Sequence, residues 1–319
     1  MCLPCGPFIV VIITYLPGRL PPLTPLFEQM PLFMVRWSNS VLWNAMIYPL
    51  LNMTIKGAIW YQGEANTVFN KDKYACTFPT MIDDWRAAFH EGSGGQTAAD
   101  FPFGFVQLST FQKISRNNGF PDIRWHQTAD YGFAPNPRMK NTFMAVALDL
   151  PDEGSPWGSI HPRDKQDVAY RLTLGARAVA YGEKGVSFQG PFPTKVLLSG
   201  KTITITYPEA ISVTRSKTIF EICCSKSKKS CGPDSQWVPA PIIKLGQSSI
   251  QVSTVFCEEI ASGLRYAWRD WPCEFKACPV YSADGELPAP PFTLNLWPWN
   301  GGPKNISAKG SSRQGSNSS

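Results

Sequence analysis

Three side chains at alternate positions, Gln62, Glu64 and Asn66, place two amides and a carboxylate on one short stretch of chain. An amide NH2 can donate to a developing oxyanion, whereas an ionised carboxylate can only accept. Glu64 is therefore expected to orient its neighbours or a substrate hydroxyl, or simply to support the local structure. A second stretch, Gly158-Ser159-Ile160-His161-Pro162-Arg163-Asp164-Lys165, supplies an imidazole. Histidine titrates near neutrality and so suits general-base work. With a nucleophile, such a base and such donors would serve acyl transfer.

The elements that must position these groups can be read from hydrophobic period. Ile55 to Tyr61 ends in the apolar run Ile59-Trp60-Tyr61, as expected of a strand buried in a sheet, and Gly63 lets the backbone bend into the polar positions. That pattern fits the carboxyl edge of an open α/β sheet, where ligands usually bind. Leu42, Met46, Ile47, Leu50 and Leu51 recur at helical spacing, with Pro49 expected to kink or end the helix. Phe78, Met81, Ile82, Trp85 and Phe89 form one inward helix face, and Pro79 suits a first turn. Phe103 to Leu108 and Thr142 to Asp149 read as further buried strands, with a short helix over Ile123 to Tyr131 between them. Val168, Leu172, Ala176 and Val179 mark another helix, placed to open at Pro162 and to be capped by Gly182. His161 would then lie at a helix amino end, where the dipole disfavours an imidazolium and keeps the ring neutral. Strands alternating with helices argue for a mostly parallel sheet covered on both faces.

After Phe188 the pattern changes. Gly190-Pro-Phe-Pro reads as a linker. Thr202-Ile-Thr-Ile-Thr alternates, as do Leu264, Tyr266 and Trp268 against Arg265, Ala267 and Arg269, and Ser248 to Phe256 does so more loosely. Short alternating strands between Gly, Pro and Ser turns suggest an all-β sandwich. The expected organisation is an atypical segment 1–39, an α/β domain 40–189, a β-rich domain 190–296 and a Gly/Ser-rich disordered tail 297–319.

The motifs Trp60-Tyr-Gln-Gly-Glu-Ala-Asn and Ser159-Ile-His-Pro-Arg-Asp-Lys resemble those of the sialate O-acetylesterases, within the broader SGNH-type esterases. The resemblance continues through Val41-Leu-Trp-Asn-Ala-Met-Ile, Phe120-Pro-Asp-Ile-Arg-Trp-His-Gln-Thr-Ala-Asp and Leu264-Arg-Tyr-Ala-Trp, and covers roughly residues 40–292. It implies an SGNH-hydrolase-like three-layer α/β fold, N-terminally incomplete, followed by a small β domain. It implies carboxylic-ester hydrolysis, removing O-acetyl groups from sialic acids or sialoglycans without a cofactor. His161 matches the family's base, and Gln62, Glu64 and Asn66 match its polar segment beside the site.

The family nucleophile lies in a Gly-Asp-Ser motif, which this sequence lacks. Ser38 and Ser40 are the serines nearest the start of the resemblance, neither preceded by Gly-Asp, so the nucleophile is unassigned. The aspartate that in many relatives precedes the histidine is replaced by Gly158 and Ser159. Asp149 or Asp152 could reach His161 from the preceding loop, a Ser-His pair could suffice, or a backbone carbonyl could fix the imidazole. Two readings follow: an esterase, or a truncated and catalytically inactive relative that binds glycans or is unstable, with an apolar sheet edge left open. His126, Arg124 and Gln127 are expected to be scaffold or polar lining, and His90 to end a helix.

Bulk composition narrows the setting. The 319 residues carry a net charge of +6, spread thinly apart from Lys226, Lys228 and Lys229, which argues against nucleic-acid binding. No apolar run approaches the ~18 residues that span a bilayer. Metal binding is not expected from three scattered histidines. Nine cysteines and the sequons at Asn52, Asn305 and Asn317 favour a secretory, lysosomal or extracellular setting. Cys223, Cys224, Cys231, Cys257, Cys273 and Cys278 are expected to form disulfides of undetermined pairing. In residues 1–39, Phe8 to Leu16 has the length of a signal-peptide core, but no Lys or Arg precedes it and no small-residue cleavage site follows. A poor signal sequence, a buried strand and an alternative start are the readings, and the last is preferred.

Overall fold

The computed structural model describes residues 40–115, 119–225, 231, 235–294 and 299–302. Ser38, Asn305, Asn317, the cluster Lys226, Lys228 and Lys229, and the segments 1–39 and 303–319 lie outside the described residues. The fold is an α/β unit followed by an antiparallel β unit.

The α/β unit is built on three parallel strands in the order β1 (Ala58–Trp60), β2 (Phe103–Gln107), β3 (Thr142–Val146). Because side chains alternate across a strand, the sheet presents two apolar faces. Trp60, Phe103, Phe105, Met144 and Val146 join one core with Phe78, Ile82, Trp85 and Phe89 of helix α1 (Tyr74–Gly92) and Ile123 of helix α2 (Gly119–His126). Val106, Phe143 and Ala145 join a second core with Val168 and Leu172 of helix α3 (Gln166–Gly175). Gly104 and Gly175 let the Phe143 ring lie flat between sheet and helix, for a Cβ on either would stand 2.2 or 2.4 Å from that ring.

Several expectations are corrected. Ile59 is 67% exposed, because α3 covers β2 and β3 on that face and leaves β1, the strand at the end of the sheet, bare. The Val41–Asn52 helix is present but irregular, an α-helical start at Val41 and Leu42 passing into a π turn (Trp43–Ile47) and a 3-10 turn (Tyr48–Leu50), which bury Ile47 but expose Met46 and Leu50. Pro49 stands in the tight turn. Pro79 lies in the second turn of α1, since Asn70, in the left-handed region at φ 53°, and a 3-10 turn (Lys71–Lys73) start the helix earlier. The helix proposed over Ile123 to Tyr131 begins at Gly119 and stops at His126, where Ala129 and Asp130 take positive φ.

In the β unit, a five-stranded sheet with β4 (Lys195–Ser199), β5 (Thr202–Thr206) and β7 (Ser249–Ser253) at its centre faces a four-stranded sheet containing β6 (Phe220–Ser225) and β8 (Ile260–Tyr266). Ile203, Ile205, Ile250 and Val252 of the first meet Phe220, Ile222, Leu264 and Tyr266 of the second in one core. The alternation read beyond Tyr266 fails because Ala267, at φ 51°, is itself buried, and beside it Trp268 is buried too. Val255 and Phe256, beyond β7, are exposed in a turn. The six cysteines pair as Cys223–Cys231, Cys224–Cys257 and Cys273–Cys278. Among the described residues no helix is long and apolar enough to cross a membrane.

A Gly104→Ala substitution forces the Phe143 ring off its seat. It should cost about 1–3 kcal/mol of stability, typical of overpacking, read as a lowered urea midpoint with an unchanged slope.

Candidate active site

The polar segment begins where β1 ends at its carboxyl edge. Gly63 takes φ 143°, and a side chain there would press on Ile123 and Leu108 at 3.2–3.3 Å, so glycine alone allows the chain to turn this closely over the core. The turn buries Gln62 to 2% exposure. Its Nε2 donates to Asn66 Oδ1 at 2.7 Å, and its Oε1 accepts from the Tyr74 hydroxyl at 3.0 Å. The Gln62 carbonyl faces the same hydroxyl and accepts from Gln127 Nε2, each at 3.2 Å. Both ends of the Gln62 amide are therefore engaged. Of the two amides singled out by spacing, Asn66 keeps the freer NH2 group, whose bond to the Phe69 carbonyl is long at 3.4 Å.

Glu64 opens a 3-10 turn (Ala65–Thr67), its carbonyl accepting from the Thr67 hydroxyl at 2.7 Å. Its carboxyl is half-buried, and burial raises its pKa against the opposing pull of nearby backbone N–H groups and of Lys165. Lys165 lies over the Tyr61 ring, 4.9 Å from its centroid, and desolvation lowers its own pKa. This contact joins the histidine segment to the β1 segment across about a hundred residues of sequence. Two others help: Ser159 Oγ donates to the Phe111 carbonyl at 2.6 Å, and Ile160 packs on the core that holds Trp60.

His161 is exposed within a turn. Its N–H donates to the Gly158 carbonyl at 2.9 Å, and its own carbonyl accepts from Ser155 Oγ at 2.7 Å. Among the described residues, none hydrogen-bonds the imidazole. The helix expected to open at Pro162 starts at Gln166, because the Asp164 carboxylate accepts the Asp167 N–H at 3.1 Å and so caps the first turn there. His161 therefore stands outside the first turn of the helix rather than at its amino end.

Neither aspartate named as a partner for His161 is placed to serve. Asp149 is fully buried and bound by Arg171 through two bonds of 2.6 and 2.8 Å, and Tyr281 donates to it at 2.9 Å. Asp152 holds Arg163 side-on at 2.7 and 2.8 Å and accepts the Arg163 N–H at 2.9 Å. These bonds bring its carboxyl down to about 2.

The remaining candidates are scaffold. Arg124 is fully buried against backbone carbonyls, His126 Nδ1 pairs with Asp130 at 2.6 Å, and Gln127 binds the Val106 carbonyl and the Leu108 N–H, each at 3.0 Å. His90 ends α1 with Nδ1 on the Thr97 carbonyl at 2.7 Å. Asn52 is exposed in a turn. Among the described residues no group of three or more His, Cys, Asp or Glu side chains is placed to hold a metal ion. Two site residues escaped sequence reading. Tyr74 carried no polar signal among the aromatics of its helix, and Lys165 could not be linked to Tyr61 before the chain was folded.

The two aspartates should differ sharply on substitution. Asp149→Ala strands a buried guanidinium and should cost about 3–5 kcal/mol, while Asp152→Ala, breaking an exposed pair, should cost less than about 1 kcal/mol, both by urea unfolding. Because the Asp152 carboxyl is depressed in the folded chain, its small contribution is present above the ordinary carboxylate range near 4 and is lost as pH falls through about 2.

A family model described as the sialate O-acetylesterase C-terminal domain matches residues 194–296. The human sialate O-acetylesterase (Homo sapiens) is 56% identical over 80% of this chain and 48% of its own length; that of Mus musculus is 55% identical over 81% and 48%. A crystal structure of a carbohydrate acetylesterase from Xanthomonas citri superposes with a TM-score of 0.63 at 28% identity, over 80% of this chain and 54% of that one. Over four-fifths of its length the chain is thus similar to the sialate O-acetylesterases, and it spans about half the length of the curated relatives it matches.

Proposed function

We propose that this chain carries the base and oxyanion side of a carboxylic-ester hydrolase that removes O-acetyl groups from sialic acids. The observation that carries this reading is the meeting of two separated stretches at the carboxyl edge of the sheet, through Lys165 over Tyr61. The meeting sets the segment that follows His161 against the segment that carries Asn66, an amide whose oxygen accepts from Gln62 and whose NH2 makes a long bond to the Phe69 carbonyl. The substrate class rests on the names of the relatives.

In this reading His161 takes the proton of a nucleophilic hydroxyl as that hydroxyl attacks the acetyl carbon. Asn66 donates to the oxygen that gains negative charge, and His161 then protonates the departing sugar oxygen. Water, activated by the same imidazole, frees acetate from the acyl intermediate. The serine remains unassigned, and so does the group that fixes the imidazole, since Asp149 and Asp152 are committed to arginines. Glu64, half-buried beside Lys165, orients the segment or accepts from a substrate hydroxyl. A secretory or lysosomal setting belongs to the same proposal, with the three disulfides in its favour.

One feature favours a second reading, a non-catalytic glycan-binding relative: the sequence contains no Gly-Asp-Ser. Acetate release from O-acetylated sialic acid, measured for the chain and for His161→Ala, separates the two. Release that His161→Ala abolishes in a folded protein supports the esterase. Release unaffected by the substitution removes His161 from the mechanism, and no release with saturable binding of the sialoside supports the second reading. Asn66→Ala should lower kcat about 10²–10³-fold, the usual loss for one oxyanion donor.

A further inference from the structure

Tyr74 lies at the start of α1, outside the segment that carries the site amides, yet its hydroxyl touches that segment twice. It is 4% exposed, stacked on Phe78 with ring centroids 5.4 Å apart. A buried tyrosine hydroxyl needs a partner, and the partner here is Gln62 Oε1 at 3.0 Å. The opposite end of the same amide, Nε2, can only donate, and it donates to Asn66 Oδ1 at 2.7 Å. Asn66 must in consequence turn its own NH2 the other way, toward the long contact with Phe69 and the open side of the segment. The order of the three groups is thus hydroxyl, amide, amide, each bond setting the orientation of the next.

The environment of the hydroxyl keeps it a donor toward Gln62. Burial pushes its pKa well above the ordinary tyrosine value, and the nearby Glu64 carboxyl adds to the rise, so it stays protonated. Gln127 is itself fixed, with Oε1 on the Leu108 N–H and Nε2 shared between the Val106 and Gln62 carbonyls. The relay is therefore anchored to the ends of β1 and β2 and to α1, all rigid elements, which is what a preorganised donor requires.

We propose that Tyr74 is a positioning residue: acting through Gln62, it sets which face of the Asn66 amide is presented to the substrate. Resting on the esterase reading above, this predicts that a group in the helical core controls an oxyanion donor it never touches. Without the hydroxyl, Gln62 loses the bond that fixes its amide, either amide can flip, and the Asn66 oxygen is then presented where a donor is needed.

The test is Tyr74→Phe, which keeps the ring and its stacking. Side-chain amide resonances of the 15N-labelled chain are followed alongside hydrolysis of an acetyl ester, with Phe78→Leu as a core substitution that removes no hydrogen bond. Tyr74→Phe should displace the Gln62 and Asn66 amide signals, speed their hydrogen exchange and lower kcat about tenfold with KM unchanged, the size expected for one hydrogen bond. Phe78→Leu should leave both amides in place. If Tyr74→Phe leaves the amide signals and kcat as they were, the hydroxyl merely satisfies the core and the relay is refuted. Should the unsubstituted chain hydrolyse no ester, the esterase reading fails on its own, and the amide signals alone decide whether Tyr74 orients Asn66.

Discussion

The fully buried guanidinium of Arg124 is the interaction on which the rest of this structure depends. Its nitrogens donate to the carbonyls of Leu108 and Ser109, just past β2, at 2.8 and 2.6 Å, and to those of Arg269 and Asp270, just past β8, at 2.6 and 2.8 Å. A rigid planar fork can satisfy several carbonyls at once where a lysine could not. Desolvation brings its pKa down to about 10, which still leaves it charged at neutral pH, and the nearby Asp270 carboxylate partly offsets that loss. Asp270 in turn accepts the N–H groups of Phe111 and Gln112. The loop after β2 is thus held from the side of the β unit, and it is this loop that receives Ser159 from the histidine turn.

A second clamp acts on the other side of that turn. Asp149, past the end of β3, is held by Arg171 of α3 and by Tyr281 of the β unit, and its carbonyl accepts the Lys276 N–H at 2.8 Å within the Cys273–Cys278 loop. The β unit is accordingly more than an appended module. It supplies backbone and side-chain partners to both connections that frame His161, while the polar segment on β1 is fixed from within the α/β unit by Tyr74 and Gln127. The imidazole itself stays exposed between these supports.

Burying this many polar groups is tolerable only because nearly all of them find partners. Arg86 shows the same logic away from the site, its guanidinium donating to the carbonyls of Phe101, Lys140 and Asn141 and so tying α1 to the starts of β2 and β3. The outward face of β1 at Ile59 stays bare because helix α3 covers only two strands of the three.

Periodicity alone fixed much of the architecture: the parallel strands through Trp60, Phe105 and Met144, the inward face of α1, and the alternating β5 follow from apolar spacing, because burial of one face is a local pattern written along the chain. The motifs singled out His161, Gln62, Glu64 and Asn66 as candidates without any structure. Element starts were less legible at Pro79 and His161, where a left-handed Asn70 and a capping Asp164 decided the first turn. Only the folded chain could show that Asp149 and Asp152 belong to arginines, that Gln62 is spent on Asn66, and that Lys165 reaches Tyr61. Those are pairings between residues distant in sequence, and a hydrogen bond's partner depends on where packing brings two groups rather than on the identity of either.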